Sequence, residues 1–137
     1  MRISQKGLYA LQALTVLAEH PKDVMKIKDI AAAECLPEKF LEAILLELKR
    51  ARIVVSHRGA NGGYQLQRPA KRISLGEVLR RIDGPLAPFE DAESLRRRVK
   101  SDPQHRPLFR VLLDVRNATA GILDHTYLSD LCCRSRN

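Results

Sequence analysis

The sequence predicts a mainly α-helical chain with one small β-hairpin. Three observations carry this. Aromatic residues make up 4% of the 137 residues and tryptophan is absent, so a core must be built from Leu, Ile, Val and Ala, which suits small helical packing. Apolar residues recur at helical spacing in several segments but alternate with polar ones in only one region. That region contains "RGANGGYQL", where Gly59, Gly62 and Gly63 stand within five positions of one another.

Residues 4 to 20 carry the first helix. Ser4 is a candidate N-cap. Leu8, Leu11, Leu14, Leu17 and Ala18 form its apolar stripe, and His20-Pro21 ends it, because the residue before proline disfavours helical backbone. A short helix follows over "KDIAAAE", Lys28 to Glu34. A longer one runs from Pro37 to about Ala51, with Phe40, Leu41, Ile44, Leu45 and Leu48 as its buried stripe. Proline suits the first helical turn, where its missing N–H costs nothing. A short helix, a tight turn and a longer helix make a helix-turn-helix, with small Ala31 at the crossing and Cys35, expected to be buried, in the turn. Any helical hairpin would show the same pattern, so DNA binding does not follow from it alone.

"IVVSHR" and "YQLQR" are alternating strands, and the glycines between them make a hairpin tip. A phosphate-binding P-loop would need a Lys-Ser/Thr pair and then a helix. Here the glycines lead into a second strand, so that reading fails. A hairpin directly after a helix-turn-helix is a wing. "SLGEVLRRIDG" is the next helix. Ser74 and Glu77 stand at capping-box spacing, Leu75, Val78, Leu79 and Ile82 form the apolar face, and Gly84-Pro85 ends it. Residues 85 to 93 are expected to be loop, and "SLRRRVK" a short helix. A long helix spans Pro107 to Asp124, with Leu108, Val111, Leu112, Val115, Ala118, Thr119 and Ile122 along one side. Two roles fit that stripe: dimerisation, or packing back onto the same domain. Thr126 is expected to cap a final short turn.

The formal net charge is +8 and the isoelectric point about 9.8, which points to a polyanionic partner. The distribution sharpens this. Between Leu48 and Gly76 there is no Asp or Glu, while Lys49, Arg50, Arg52, His57, Arg58, Arg68, Lys71 and Arg72 all fall there. An acid-free block around a glycine hairpin is the pattern of a phosphate footprint. The N-terminus lacks the unbroken apolar run of a signal peptide, and no segment approaches a membrane span, so a cytoplasmic protein is expected. Cys35, Cys132 and Cys133 do not make a disulfide framework. Adjacent cysteines are not a chelating C-x-x-C pair, and an exposed pair without a redox or metal role is expected. His20, His57, His105 and His125 are scattered, with no acid and nucleophile in a coherent motif, so no catalytic residues are assigned.

The chain resembles the Rrf-two family of bacterial winged-helix regulators. The likeness runs through "MRISQKGLYAL", "IAAAECLPEKFLEAIL", "VVSHRGANGGYQL", "ISLGEVLRRIDGPLAP" and "ILDHTYLSDL". Members include an iron–sulfur cluster regulator, a nitric-oxide-sensitive repressor and a cysteine-metabolism repressor. The resemblance implies a homodimeric repressor on double-stranded, pseudo-palindromic operator DNA. The Pro37 helix would enter the major groove, and Arg58 would match the family's minor-groove arginine. Glu42 would match its base-reading glutamate, suited to cytosine N4. Ala43 replaces a glutamine and Lys39 a serine, so the base preference should differ. The implied DNA contacts are Lys6, Lys39, Glu42, Ser56, His57, Arg58, Gly59, Asn61, Gly63 and Tyr64.

Cluster-binding members carry three cysteines before the long helix. Here "FEDAESLRRRVKSDPQHRP" has none, so no cofactor is expected. Arg96, Arg97 and Arg98 form a candidate patch for a small anionic effector or a partner enzyme. The expected organisation is a DNA-binding domain over 1–84, a sensor-type loop over 85–106, and a dimerisation helix with its tail over 107–137. Two alternatives stand beside this reading: a winged-helix module for a protein or RNA partner, and a thiol-based redox-sensing regulator.

Overall fold

The computed structural model describes residues 2–87 and 89–132. Cys133 lies outside them. The elements in order are α1 (Gln5–Glu19), α2 (Ile27–Glu34), α3 (Glu38–Arg50), β1 (Val54–His57), β2 (Gly63–Leu66), a 3-10 turn (Ala70–Arg72), α4 (Leu75–Asp83), α5 (Ala92–Ser101), α6 (Arg106–Asp124) and α7 (Leu128–Leu131). The mainly helical class and the single hairpin are both present.

Ser4 caps α1, its hydroxyl accepting from the Gly7 N–H at 2.9 Å. The buried face of α1 is Ala10, Ala13, Leu14, Leu17 and Ala18. Leu8, expected on that face, is 47% exposed. A helix turns about 100° per residue, so leucines three apart drift by about 60° each, and Leu8 ends opposite Leu17. Phe40 departs from expectation for the same reason. It sits about a quarter turn from the centre of the α3 face made by Leu41, Ile44, Leu45 and Leu48, and is 65% exposed.

Cys35 ends α2 in left-handed backbone, φ 53° and ψ 47°, where glycine is usual. It is exposed, contrary to the expected burial, because the turn points its Cβ away from the core and Leu36 fills the interior instead. The strands pair antiparallel, with Val54 opposite Leu66 and His57 opposite Gly63. A further rung is added on the other edge of β2 by Met25, which exchanges backbone hydrogen bonds with Tyr64 at 2.9 and 2.7 Å.

One core joins α1, α2, α3 and β1 around Leu14, Ile30, Leu45, Leu48, Ile53 and Ile73. The C-terminal segment returns to it. Leu128 is fully buried in this core, and its N–H donates to the Ile73 carbonyl at 3.0 Å. The α7 cap is Tyr127 with Asp130, rather than Thr126, whose hydroxyl donates to the Ile122 carbonyl and so does not face the new turn. Residues expected as loop at the end of 85–93 already belong to α5, capped by Asp91 on the Ser94 N–H at 2.8 Å. The two arms of the fold are stapled by Arg80 on α4, which holds Asp124 on α6 through two hydrogen bonds of 2.5 and 2.8 Å.

Candidate nucleic-acid interface

The buried stripe of α3 fixes what its other face offers. With Leu41, Ile44, Leu45 and Leu48 inward, Lys39, Phe40, Glu42, Ala43 and Arg50 point outward. On one flank of α3 lies a groove of about 530 Å³ shared with the wing. Glu38 and Glu42 line its helical wall, and Ser56, His57, Arg58, Gly59 and Tyr64 line its hairpin wall. Lys26 and Lys28, at the start of α2, close it. The structure therefore brings Glu42, Ser56, His57, Arg58, Gly59, Gly63 and Tyr64 together around one concavity.

Backbone freedom makes this possible at the tip. Gly59 has φ +104°, and no atom lies within 4 Å of where a side chain would begin, so the loop beside Arg58 is open to solvent. Gly63 has φ +154°, and a Cβ there would also overlap the Met25 carbonyl, so both backbone and space call for glycine. His57 is held by Gln65 at 3.2 Å, and Gln65 in turn donates to the Pro21 carbonyl at 3.1 Å. Among the described residues, Arg58, Lys39, Lys26 and Lys28 form no salt bridge, so their charge is available. Asn61 is exposed at the tip but does not line the groove.

Two basic residues behave differently. Arg68, counted in the acid-free block, turns away from the wing face and pairs with Glu77 on α4, as well as with the Arg72 carbonyl at 3.4 Å. Glu77 lies one residue beyond the block, which is why the linear reading missed the pairing. Its carboxylate is thereby drawn off the second half of a capping box, and only the Ser74 half, 3.1 Å from the Glu77 N–H, is made. Lys6 forms an ion pair with Glu47 on α3, with 43% and 35% side-chain exposure. A pair that exposed contributes little and can yield to a stronger anion.

Lys26 and Lys28 were missed by the sequence reading. They are separated from the acid-free block by about twenty residues, and the Met25–Tyr64 bridge is what brings them beside the hairpin.

A second surface lies on α6. Leu108, Val111, Val115 and Ile122 are 53%, 58%, 45% and 68% exposed, and Ala118 is exposed between them. Leu112 and Thr119 are half-buried, while Phe109 and Ala120 face inward. Ile3 joins this stripe across a shallow groove with Val115, Thr119 and Ile122.

The arginines 96 to 98 do not form one patch. Arg98 bonds Glu90 at 2.9 Å and stacks between the rings of Phe89 and Phe109, at 5.5 and 5.2 Å. The Glu90 hydrogen bond raises its pKa. Arg97 donates to the Ser94 hydroxyl at 3.1 Å. Consecutive helical residues point about 100° apart, so three in a row cannot share a face.

Against known proteins, the family model Rrf2, described as an iron-dependent transcriptional regulator, matches residues 3–134. The chain belongs to the Rrf2 family. It is 36% identical over 132 residues to the HTH-type transcriptional regulator CymR of Bacillus subtilis, covering 96% of this chain and 89% of that protein. The structure of CymR, the global cysteine regulator of B. subtilis, superposes with a TM-score of 0.81 at 33% identity over 98% of both chains. A regulator of the HTH type from Mycobacterium tuberculosis is 49% identical over 92 residues, covering 66% of this chain. The match spans 57% of that relative's own length. The Rrf2 assignment and the CymR superposition make the fold a winged helix-turn-helix, with the hairpin as its wing.

The family description implies iron, but the donors here do not fit it. No cysteine lies between α4 and α6. Cys35 sits in the turn before α3, and Cys132 follows α7, donating to the Leu128 carbonyl. Among the described residues, no three His, Cys, Asp or Glu side chains converge as metal ligands, and no helix is long and apolar enough to cross a membrane. Asp102 and His105 bind each other at 3.0 Å, which holds the Asp102 carboxyl below its ordinary range.

Proposed function

We propose that this Rrf2 regulator is a homodimeric, sequence-specific DNA-binding repressor that works without an intrinsic iron–sulfur cluster and carries no catalytic function. The single observation that carries the DNA reading is the groove between α3 and the wing. It sets two unpaired glutamates, Glu38 and Glu42, opposite unpaired cations. Arg58, Lys26 and Lys28 in the groove, with Lys39 on the outer face of α3, supply phosphate affinity, and Glu42 supplies discrimination, because a carboxylate repels bare phosphate but accepts from cytosine N4. Arg58 at an open glycine tip suits a narrow minor groove. The exposed α6 stripe supports pairing of two copies, which would place two recognition helices on a pseudo-palindromic site. The absence of cysteine from 85–106 supports regulation by something other than a cluster; a small anion or a partner protein is the effector class we propose. A cytoplasmic location follows from this role.

The test is selection of bound duplexes from a random pool, followed by affinity measurement across a salt series. A recovered palindromic motif and a steep inverse salt dependence are expected. Recovery of no motif would return the wing to the alternative of a protein-binding or RNA-binding module. Anaerobic purification with an iron assay tests the cluster reading: colourless protein with full operator binding is expected, and stoichiometric iron would overturn it.

A further inference from the structure

On the flank of α3 away from the wing, the structure carries an exposed apolar feature that phosphate binding does not explain. Phe40 is 65% exposed. Its neighbour one turn on, Ala43, is also exposed, and both border a groove with Lys6 and Tyr9 on α1. Aromatic residues are scarce in this chain, and its three phenylalanines are Phe40, Phe89 and Phe109. Phe89 and Phe109 hold Arg98 between them. Phe40 has no aromatic or cationic partner among the described residues.

Its position decides what can cover it. Phe40 lies in the first turn of α3 and Ala43 one turn later, both in the N-terminal half of the helix. In helix-turn-helix proteins that half meets base edges. Lys39, next to Phe40 in sequence, is unpaired, and Lys6 across the groove holds only an exposed pair with Glu47 that can yield to a stronger anion, so a polyanion fits this flank better than an apolar protein surface. One base-edge group in the major groove is apolar, the 5-methyl of thymine, and its usual partners are alanine and phenylalanine side chains.

We propose that Phe40 and Ala43 form a thymine-methyl reader on the recognition helix, specifying a thymine in each half-site on the side away from the base read by Glu42. The proposal rests on the DNA-binding reading above. It divides the labour on α3: the wing-side flank accepts a hydrogen bond through Glu42, and the α1-side flank reads shape and apolarity.

Uracil isolates the claim, because it keeps every hydrogen-bonding group of thymine and lacks only the methyl. The duplex selected by the wild-type protein is prepared with each thymine replaced singly by deoxyuridine. Affinities are measured at fixed salt for wild type, Phe40→Ala and Phe40→Leu. One position per half-site should weaken about fourfold on losing its methyl, the worth of one buried carbon group. Phe40→Ala should bind the thymine duplex more weakly and lower the thymine-to-uracil ratio at that position toward one. Phe40→Leu, still apolar, should retain most of the ratio. Because Phe40 is exposed, both variants should keep the wild-type circular dichroism.

Equal binding of all uracil duplexes would overturn the proposal while leaving sequence-specific binding intact. So would a ratio unchanged in Phe40→Ala, or a loss of dimer in that variant by sedimentation, which would assign the ring to a second copy. Failure of the wild type to select any duplex would overturn this proposal and the DNA-binding reading together.

Discussion

Replacing Gly63 by alanine tests how the wing is held. At Gly63 the backbone has φ +154°, and a Cβ would overlap the Met25 carbonyl oxygen and stand 2.5 Å from its carbon and 2.9 Å from the Lys26 nitrogen. All of these are main-chain atoms, so no side chain can swing aside. Relief requires the Met25 segment to move, and that segment is joined to Tyr64 by two hydrogen bonds of 2.9 and 2.7 Å. Losing both costs about 2 kcal/mol, and the strained backbone adds about 1–2 kcal/mol. Gly63→Ala should therefore destabilise the fold by roughly 3–4 kcal/mol. Gly59→Ala is the control. Its φ of +104° is also strained, but no atom lies within 4 Å, so only about 1–2 kcal/mol is expected. At roughly 4 °C per kcal/mol for a chain this size, the two should be separated by thermal melts as well as by urea titration followed by circular dichroism. A Gly63→Ala variant no less stable than Gly59→Ala would refute the argument, since the Met25 rung would then not be what fixes the wing.

Arg58→Ala should weaken operator binding by about 1–3 kcal/mol at fixed salt with the melting temperature unchanged, measured by fluorescence anisotropy on the selected duplex. Val115→Asp places a charge in the exposed α6 stripe and should give monomers that bind DNA weakly; sedimentation of wild type and variant decides it, and a monomeric wild type would remove the dimer from the mechanism. Asp124→Asn should cost about 1 kcal/mol near neutral pH, discounted because both partners are about one-third exposed. Hydrogen bonding by Arg80 lowers the Asp124 pKa below its ordinary 3.8, so the pair stabilises above that value and is lost as pH falls through the folded pKa; the gap between wild type and Asp124→Asn should close below about pH 4 in urea titrations.

Helix positions were legible because apolar period and caps are local signals. Ser4, Ser74 and Pro21 sit where their chemistry requires, and the observed helix ends differ from the expected ones by one or two residues. Side-chain facing was less legible. Leu8 and Phe40 look like core by spacing alone, and only the angle subtended by the whole buried set excludes them. Cys35 was misplaced for another reason. A left-handed turn residue is chosen by backbone geometry, and its type says little about burial. The Met25 rung was invisible because one bridge residue shows no alternation, yet it carries Lys26 and Lys28 to the wing.

Charge was the least legible feature of the site, and the reason is general. A linear count shows how many cations a segment holds, but not which of them the fold has already neutralised. Arg68 stands in the acid-free block and is taken by Glu77, nine residues on. Arg98 is taken by Glu90 and two aromatic rings, and Arg80 by Asp124, 44 residues away. Each of these partners lies outside the window in which the basic run was recognised. The unpaired cations around the wing groove are Arg58, Lys26 and Lys28, and two of the three come from outside the block, from a segment with its own acid, Asp29, close by. The footprint is thus set both by what the fold pairs and by what it brings alongside the hairpin. Where the fold pairs a cation internally, that residue holds helices together, and where it leaves one unpaired beside the glycine tip, phosphate can complete it.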